Sequence, residues 1–344
     1  MAGFFFSGVG KAFSAKIGKI DSDSLVEGCD FYVQLGVSAP GVPFFCRPRA
    51  PNQPYAMNLK TETTFWMITT NHLTDRLWFK DEVDYKTGMN YVAVLAAHNP
   101  VMVIAFILMS NHVHFLLAGT EKQGRLFVER FKKKYSQYYS YKYGSAELLR
   151  GNEIDVREVS LKDESFERAV AYIQMNSVAA NNCLHPSGYP WGTGDVFFSA
   201  TPQTGIPLGS MSARAVNRMT RSKESLPDHY MMGEKGYITP RSFVPVKYVE
   251  SVFRTPRRMN YFLQNSSKAR RLKEAPSFDD SLVLSAARSL CVSLFRKTQI
   301  SELSTEQKAE ILKQLRYRFS AGPHQLSRIS GLSYQSVSEL LDQG

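Results

Sequence analysis

Two strongly apolar stretches, residues 101–109 and 112–118, are separated only by Ser110 and Asn111. A continuous apolar run of this length, bounded by turn-forming residues, predicts a buried β-strand. Two strands joined by so tight a turn are expected to pair with each other as an antiparallel hairpin. The chain around this hairpin is therefore expected to build an antiparallel sheet.

Strands and helices alternate along the chain on both sides of this hairpin. β-branched and aromatic residues predict a strand over 63–70 and another over 154–159. The spacing of apolar residues predicts helices over 81–97, 124–143 and 163–176. This order of elements predicts a compact α+β domain, in which one antiparallel sheet is covered by helices.

The 344 residues of the chain leave room for more than one domain. Glycine and proline are frequent before residue 57 and again beyond residue 191, which is typical of domain boundaries. The predicted divisions are a leader of uncertain structure over 1–57, the α+β domain over 58–200, a basic linker region over 201–275 and an all-α C-terminal domain over 276–344.

The C-terminal domain is predicted from two amphipathic helices, 281–295 and 305–319, and from the pattern that follows them. Over residues 322–341 a short helix, a glycine-containing turn and a second short helix follow one another, as in a helix-turn-helix. Small helical bundles that do not contact DNA give the same pattern, so both interpretations stay open.

The charge of the chain favours an anionic partner. Lys and Arg outnumber Asp and Glu by 42 to 31, for a net charge of +11, which favours nucleic acid first and an anionic membrane second. The four cysteines are scattered singly, which argues against a zinc ribbon or a disulfide scaffold. No apolar run reaches the length of a transmembrane helix, and the start lacks the residue order of a signal peptide. We therefore predict a cytoplasmic protein with no membrane partner.

His112 and His114 stand two residues apart in the second strand of the predicted hairpin. Residues i and i+2 of a strand share one face of the sheet, so the two imidazoles are expected side by side. Such a pair can hold a divalent metal ion. The alternative is two strand histidines with no joint role, because short motifs also occur by chance.

Tyr172 and Asn176 share one face of the predicted helix over 163–176, because residues i and i+4 project together. An activated tyrosine can act as a covalent nucleophile, and the asparagine amide oxygen can be a third metal ligand. The alternative is an amphipathic helix whose tyrosine only packs in the core.

The motifs combine Ser-Asn-His-Val-His-Phe-Leu at 110–116 with Tyr-Ile-Gln-Met-Asn-Ser-Val-Ala-Ala at 172–180, and Tyr-Pro-Trp follows at 189–191. Together with the order of the elements, they resemble the REP-associated tyrosine transposases, which belong with the single-tyrosine, His-hydrophobic-His transposases of small bacterial insertion sequences. The resemblance covers residues 63–198. The combination is fairly specific, whereas each motif alone is not.

The resemblance implies a ferredoxin-like catalytic domain that acts on single-stranded or hairpin DNA with Mg²⁺ or Mn²⁺. It implies His112, His114 and Asn176 as metal ligands and Tyr172 as the nucleophile. The family usually has proline after the asparagine, whereas this chain has Ser177, which leaves the helix end and the placing of Asn176 open. Whether the protein forms a homodimer, and whether Tyr172 then acts in the site of the other subunit, also stays open.

Three DNA-binding surfaces are predicted, two from cationic side chains and one from polar side chains. The respective alternatives are a solvated helix face, a linker and a helical bundle without DNA contact. On the helix between the two motifs, cations interleaved with aromatic rings are expected to meet phosphates and bases. A basic segment further on is expected to meet phosphates, and the last short helix a major groove. The residues concerned are Arg125, Arg130, Lys132, Lys133, Lys134, Arg257, Arg258, Tyr334, Gln335 and Ser336.

The predicted function is that of a transposase-like endonuclease and strand transferase, which cleaves single-stranded DNA through a 5′-phosphotyrosine intermediate. Because the covalent linkage conserves the bond energy, a second strand can be joined without ATP. The alternative is a domesticated DNA-binding regulator that keeps the fold and no longer cleaves. A replication or conjugation nickase would use the same site, but no helicase or Walker sequence supports it.

Overall fold

A computed structural model describes residues 63–144, 148–149, 151–201, 204–269 and 278–342. The leader predicted over 1–57 lies outside these residues. Up to residue 179 the described chain contains four strands and three α-helices in the order β1 (Phe65–Thr70), α1 (Glu82–His98), β2 (Met102–Met109), β3 (His112–Ala118), α2 (Glu121–Tyr143), β4 (Ile154–Val159) and α3 (Ser165–Ala179).

The four strands form one antiparallel sheet in the order β2-β3-β1-β4. Helix α1 connects β1 to β2 across β3, and α2 connects β3 to β4 across β1. Two interleaved crossovers of this kind define the split βαβ arrangement of ferredoxin-like folds. The predicted α+β fold is confirmed.

The two faces of the sheet pack against different helices. Val113, Phe115 and Leu117 of β3 belong to the apolar cluster that α1 and α2 share, whereas Leu116 and Ala118 belong to the cluster of α3. This alternation follows from the two-residue repeat of a strand. His112 and His114 therefore lie on the side of α3.

Helix α2 begins three residues earlier than predicted, because Thr120 and Gln123 form a capping box at its start. Gly144 ends it in the left-handed conformation, with φ of 68°. Most of its aromatic rings, for which base stacking and burial in the core both stayed open, are buried against the sheet, because they lie on the same helix face as its aliphatic residues. The buried rings are those of Phe127, Phe131, Tyr135, Tyr138 and Tyr139.

The segment from Tyr189 to Thr193 covers the outer edge of β2. The Leu108 N–H donates to the Trp191 carbonyl, and the Thr193 N–H donates to the Phe106 carbonyl. Gly192 forms a β-bridge with Ile107, and a Cβ at Gly192 would lie 2.5 Å from the Phe106 carbonyl oxygen. The close approach of the two backbones therefore requires glycine here.

The range 201–275, which we predicted as a basic linker region, contains helices α4 (Ala213–Thr220), α5 (Val246–Phe253) and α6 (Pro256–Gln264). Val249, Phe253 and Phe262 are buried in the same apolar cluster as α3. Helices α5 and α6 thus pack with α3 on one face of the sheet, whereas Val216 of α4 belongs to a separate apolar cluster with Ala93 of α1. Of the described glycines and prolines in this range, all but Pro256 lie outside these three helices. The predicted domain boundaries stay a prediction.

The C-terminal region is helical, as predicted, with α7 (Asp280–Phe295), α8 (Thr305–Phe319), α9 (Pro323–Ser330) and α10 (Tyr334–Asp342). These helices share their own apolar cluster, which also takes in Leu77 from the loop after β1. Gly331 turns the chain between α9 and α10 with φ of 73°. Within the described ranges, no helix is both long enough and apolar enough to span a bilayer.

Candidate functional site

The two strand histidines lie next to each other, as the sequence predicts. Their ring centroids are 4.8 Å apart and the rings are nearly perpendicular. His112 is 5% exposed and His114 is 1% exposed. Burial lowers the pKa of His112 well below its usual range, and neighbouring positive charges lower this pKa further. The imidazoles are therefore neutral, which is the form that binds metal ions.

A chain of hydrogen bonds sets the tautomer of His112. The Asn111 amide nitrogen donates to the Leu73 carbonyl oxygen at 2.8 Å, so the amide oxygen faces the other way. That oxygen is 2.9 Å from His112 Nδ1, which must be the protonated nitrogen because an amide oxygen only accepts. The lone pair of His112 is consequently on Nε2.

His114 is held in a similar way by β1. Its Nδ1 lies 2.7 Å from the Thr69 hydroxyl, on the neighbouring strand of the sheet. Burial, together with the positive charges of Lys268 and His72, lowers the pKa of His114 to about 3, and a polar interaction with the Asn176 side chain partly opposes this shift. Both Nε2 atoms are buried, and no described residue offers either of them a hydrogen-bond partner.

A third imidazole, from His72, completes a cluster that the sequence analysis did not predict. The rings of His72 and His112 stack with centroids 3.6 Å apart, and the possible ligand atoms of the three histidines lie within 4.8 Å of one another. His72 follows the end of β1 in an irregular loop, where no periodicity indicates a shared face. Long-range backbone bonds place this loop, including one from the Leu73 N–H to the Asn111 carbonyl.

Helix α3 brings Tyr172 to the same place. The Tyr172 ring lies 5.6 Å from the His114 ring, in an edge-to-face arrangement, and is half-buried. The Asn176 amide nitrogen donates to the Tyr172 carbonyl at 2.8 Å, which turns the amide oxygen away from the helix backbone. Helix α3 continues to Ala179, three residues beyond the predicted end, because Ser177 keeps the backbone N–H that proline lacks.

Lys268 adds a positive charge beside Tyr172 from a segment beyond helix α6. Its ammonium group lies 4.8 Å from the centre of the Tyr172 ring. The residue follows helix α6, in a part of the chain that the sequence analysis placed only in a basic segment. The packing of α6 against α3, which no local sequence pattern reveals, brings it to the site.

The three histidines fit a resident divalent ion. The buried lone pair of His112 Nε2 has no described partner, which is costly unless a ligand engages it. Hydrogen bonds to the opposite ring nitrogens hold both imidazoles, as is usual for metal-bound histidine. The exposed His72 is close enough to the other two imidazoles to offer a third donor.

The predicted DNA-binding residues of α2 differ in their exposure and in their ion-pair partners. Lys133 is exposed, whereas Lys132 is buried, and its ammonium group bonds the Asn152 carbonyl and Glu129. The remaining cations of this set have described partners: Arg125 pairs with Glu121, Arg130 bonds Asn99, and Lys134 pairs with Glu224. Tyr141, 89% exposed, is the α2 ring most open to a base.

The remaining predicted residues lie on α6 and α10. Arg257 is exposed, and Arg258 pairs with Glu164 and Glu167 of the α3 region. On α10, Tyr334 and Gln335 are exposed and Ser336 is half-buried. The Gln335 amide donates to Glu339, and the Tyr334 ring lies 4.5 Å from the His324 ring. A DNA contact by these residues stays a prediction.

Comparisons with known proteins add little to this geometry. No protein-family model and no curated protein matches the sequence. Among solved structures, the chain is similar to a REP-associated tyrosine transposase bound to a REP hairpin, with 14% identity and a TM-score of 0.29. The similarity covers 38% of this chain and 76% of that chain. Values this low establish neither a common fold nor a common activity.

Proposed function

We propose that this protein is a metal-dependent endonuclease and strand transferase for single-stranded DNA, including hairpin-associated DNA, with Tyr172 as its nucleophile. The observation that carries the proposal is the Tyr172 ring, 5.6 Å from that of His114, whose buried Nε2 has no described partner. A tyrosine beside a potential metal site has the two components that phosphodiester transfer needs, a nucleophile and a position for charge neutralisation.

His112, His114 and His72 would hold the ion, with the Asn176 amide oxygen as the further ligand that the sequence predicts. Between Mg²⁺ and Mn²⁺, imidazole donors favour Mn²⁺, because Mg²⁺ prefers oxygen ligands and retains its water. Once bound, the ion would neutralise a non-bridging phosphate oxygen and make the phosphorus more electrophilic.

The chain itself would supply the nucleophile and its orientation. The phenol oxygen of Tyr172 attacks the phosphorus, and the bond between phosphorus and the 3′-oxygen breaks. The phenol loses one proton and the 3′-oxygen gains one, so a 5′-phosphotyrosine and a free 3′-hydroxyl result. Helix α3 would hold the Tyr172 phenol, and the histidine site would hold the phosphate. This fixed geometry would lower the activation barrier by several kcal/mol. Attack by another 3′-hydroxyl reverses the step and joins a new strand.

Lys268 would bind the negatively charged phosphate next to the nucleophile. Its ammonium group is already beside the Tyr172 ring, and the net charge of +11 attracts a polyanionic substrate. The exposed Lys133 and Arg257 are the members of the predicted DNA-binding set best able to contact phosphates further along the strand.

The proposal is tested with end-labelled, hairpin-containing single-stranded DNA and Mn²⁺. We expect a covalent adduct that survives denaturing gel electrophoresis, and we expect Tyr172→Phe to abolish it. Tyr141→Phe is the matched control, because Tyr141 is exposed and belongs to α2 rather than α3. Equal adduct formation by Tyr172→Phe, or DNA binding without any adduct, would overturn the proposal; the latter favours the non-cleaving regulator.

A further inference from the structure

A cleft of about 410 Å³ lies between the loop after β1 and the helices α7 and α9. The loop contributes Arg76 and Lys80, α7 contributes Arg288, and α9 contributes Arg328. Asp75 is the one acidic residue among the described residues that line the cleft. The cleft therefore has a positive lining, and none of its residues belongs to the histidine and tyrosine site.

Two of these four cations are already neutralised by neighbouring carboxylates. Arg76 lies 3.1 Å from Asp75, and Arg328 lies 2.9 Å from Asp280. Among the described residues, no carboxylate oxygen lies within 4.0 Å of the Lys80 ammonium group or the Arg288 guanidinium group. They are consequently the positive charges that remain available to an anion.

Lys80 is held in an environment that favours an additional negative charge. Its ammonium group lies 4.3 Å from the centre of the Tyr143 ring and 4.8 Å from that of Tyr139. Burial lowers the pKa of Lys80, and the positive charge of Arg288 lowers it further, although Asp84 opposes the shift. An anion bound between Lys80 and Arg288 would relieve the repulsion of these two cations.

The cleft also has apolar walls and is of suitable size for a base and a sugar, and Thr298, Gln299 and Ser301 add polar groups to its lining. Leu77, Leu284, Ala287, Ile300 and Ile329 contribute to its walls, together with the Tyr143 ring. Sites for small molecules commonly have volumes of about 300–1,000 Å³ and combine apolar walls with a few polar groups. A phosphate beside an apolar, aromatic wall is the arrangement that a nucleotide requires.

We propose that this cleft binds one nucleotide unit, with its phosphate between Lys80 and Arg288 and its base or sugar against the apolar walls. A nucleotide within a DNA strand and a free nucleotide have the same chemistry. The proposal that the nucleotide belongs to a strand rests on the proposed function, because that function supplies a DNA substrate. The cleft would then anchor the strand where the catalytic and helical regions meet.

The test measures the affinity for a short fluorescein-labelled oligothymidylate by fluorescence anisotropy, in EDTA and over a series of salt concentrations. We expect Arg288→Gln to weaken binding at low salt about tenfold, as for the loss of one charge-assisted contact. The slope of log K against log salt should become less negative by about 0.7. Arg296→Gln, at the exposed end of the same helix and outside the cleft, is the matched control and is expected to bind like the wild type.

Lys80→Met is the second variant and is expected to weaken binding as Arg288→Gln does. Competition by thymidine 5′-monophosphate, but not by thymidine, supports the phosphate site and identifies a free nucleotide as a sufficient ligand. If Arg288→Gln and Lys80→Met both bind like Arg296→Gln, the proposal is wrong. Because EDTA removes divalent ions, this result is independent of whether Tyr172 forms a covalent adduct.

Discussion

Replacement of Asp280 by asparagine is expected to loosen the contact between the helical region and the histidine hairpin. The Asp280 carboxylate accepts a hydrogen bond from the Ser110 hydroxyl at 2.6 Å, and Ser110 is two residues before His112. The same carboxylate accepts two hydrogen bonds from Arg328, at 2.9 and 3.1 Å, and one from Gln325 at 3.0 Å. One side chain thus connects α7, α9 and the turn of the hairpin.

The free energy lost in Asp280→Asn depends on how deeply the Asp280–Arg328 ion pair is buried. The side chain of Asp280 is 5% exposed and that of Arg328 is 22% exposed. Loss of one partner from a fully buried ion pair costs about 3–5 kcal/mol, because the other charge stays desolvated. Since water reaches part of Arg328, we expect about 2 kcal/mol for Asp280→Asn, which corresponds to a factor of roughly 30.

Native-state hydrogen exchange measures this loss of stability at individual amides. It therefore applies even if different parts of the chain unfold separately. Amide exchange in α9 and at the Ser110–Asn111 turn should become about 30-fold faster in Asp280→Asn. The control is Asp155→Asn, which removes a surface ion pair to Arg157 and should change exchange less than about threefold. Unchanged exchange in α9 of Asp280→Asn would refute this interpretation of the contact.

Three further variants test other parts of the structure. Asn111→Ala removes the acceptor of the His112 Nδ1–H and should weaken Mn²⁺ binding about 10–100-fold in calorimetry; equal affinity would contradict the assigned tautomer. Lys268→Met should slow adduct formation about tenfold, as expected for about 1.4 kcal/mol, and Lys268→Arg should restore part of the rate; an unchanged rate would remove Lys268 from the site. Gly192→Ala should destabilise the protein by about 1–3 kcal/mol in urea denaturation, because its Cβ would meet the Phe106 carbonyl. Gly322→Ala, with open space around its Cβ, is the control and should cost much less.

The sheet was predictable from the apolar and β-branched residues of its strands. The shared position of the strand histidines was predictable because side chains alternate between the two faces of a strand. The alternation over β3 assigns His112 and His114 to one side, and this side is the one that α3 covers. The shared face of Tyr172 and Asn176 was predictable from their i and i+4 spacing on a helix. In the structure this face of α3 lies beside the strand histidines.

Features that depend on contacts between distant segments were not predictable. His72 and Lys268 lie in irregular segments, and their positions depend on the Asn111 backbone and on the packing of α6 against α3. Lys132 was predicted to contact DNA, with a solvated helix face as the alternative, but its long side chain reaches the Asn152 carbonyl from a buried position. The short helices α5 and α6 of the predicted linker region depend on burial beside α3, and helices of eight or nine residues are marginal without such packing.

Mass spectrometry of the protein–DNA adduct tests the central claim most directly. The tryptic peptide over residues 169–214 contains Tyr172 and one other tyrosine, Tyr189. After a reaction with Mn²⁺ and nuclease digestion, fragmentation of this peptide should place a 5′-linked nucleotide on Tyr172. A nucleotide on Tyr189, or a peptide that stays unmodified while DNA is cut, would contradict the assignment of Tyr172 as the nucleophile.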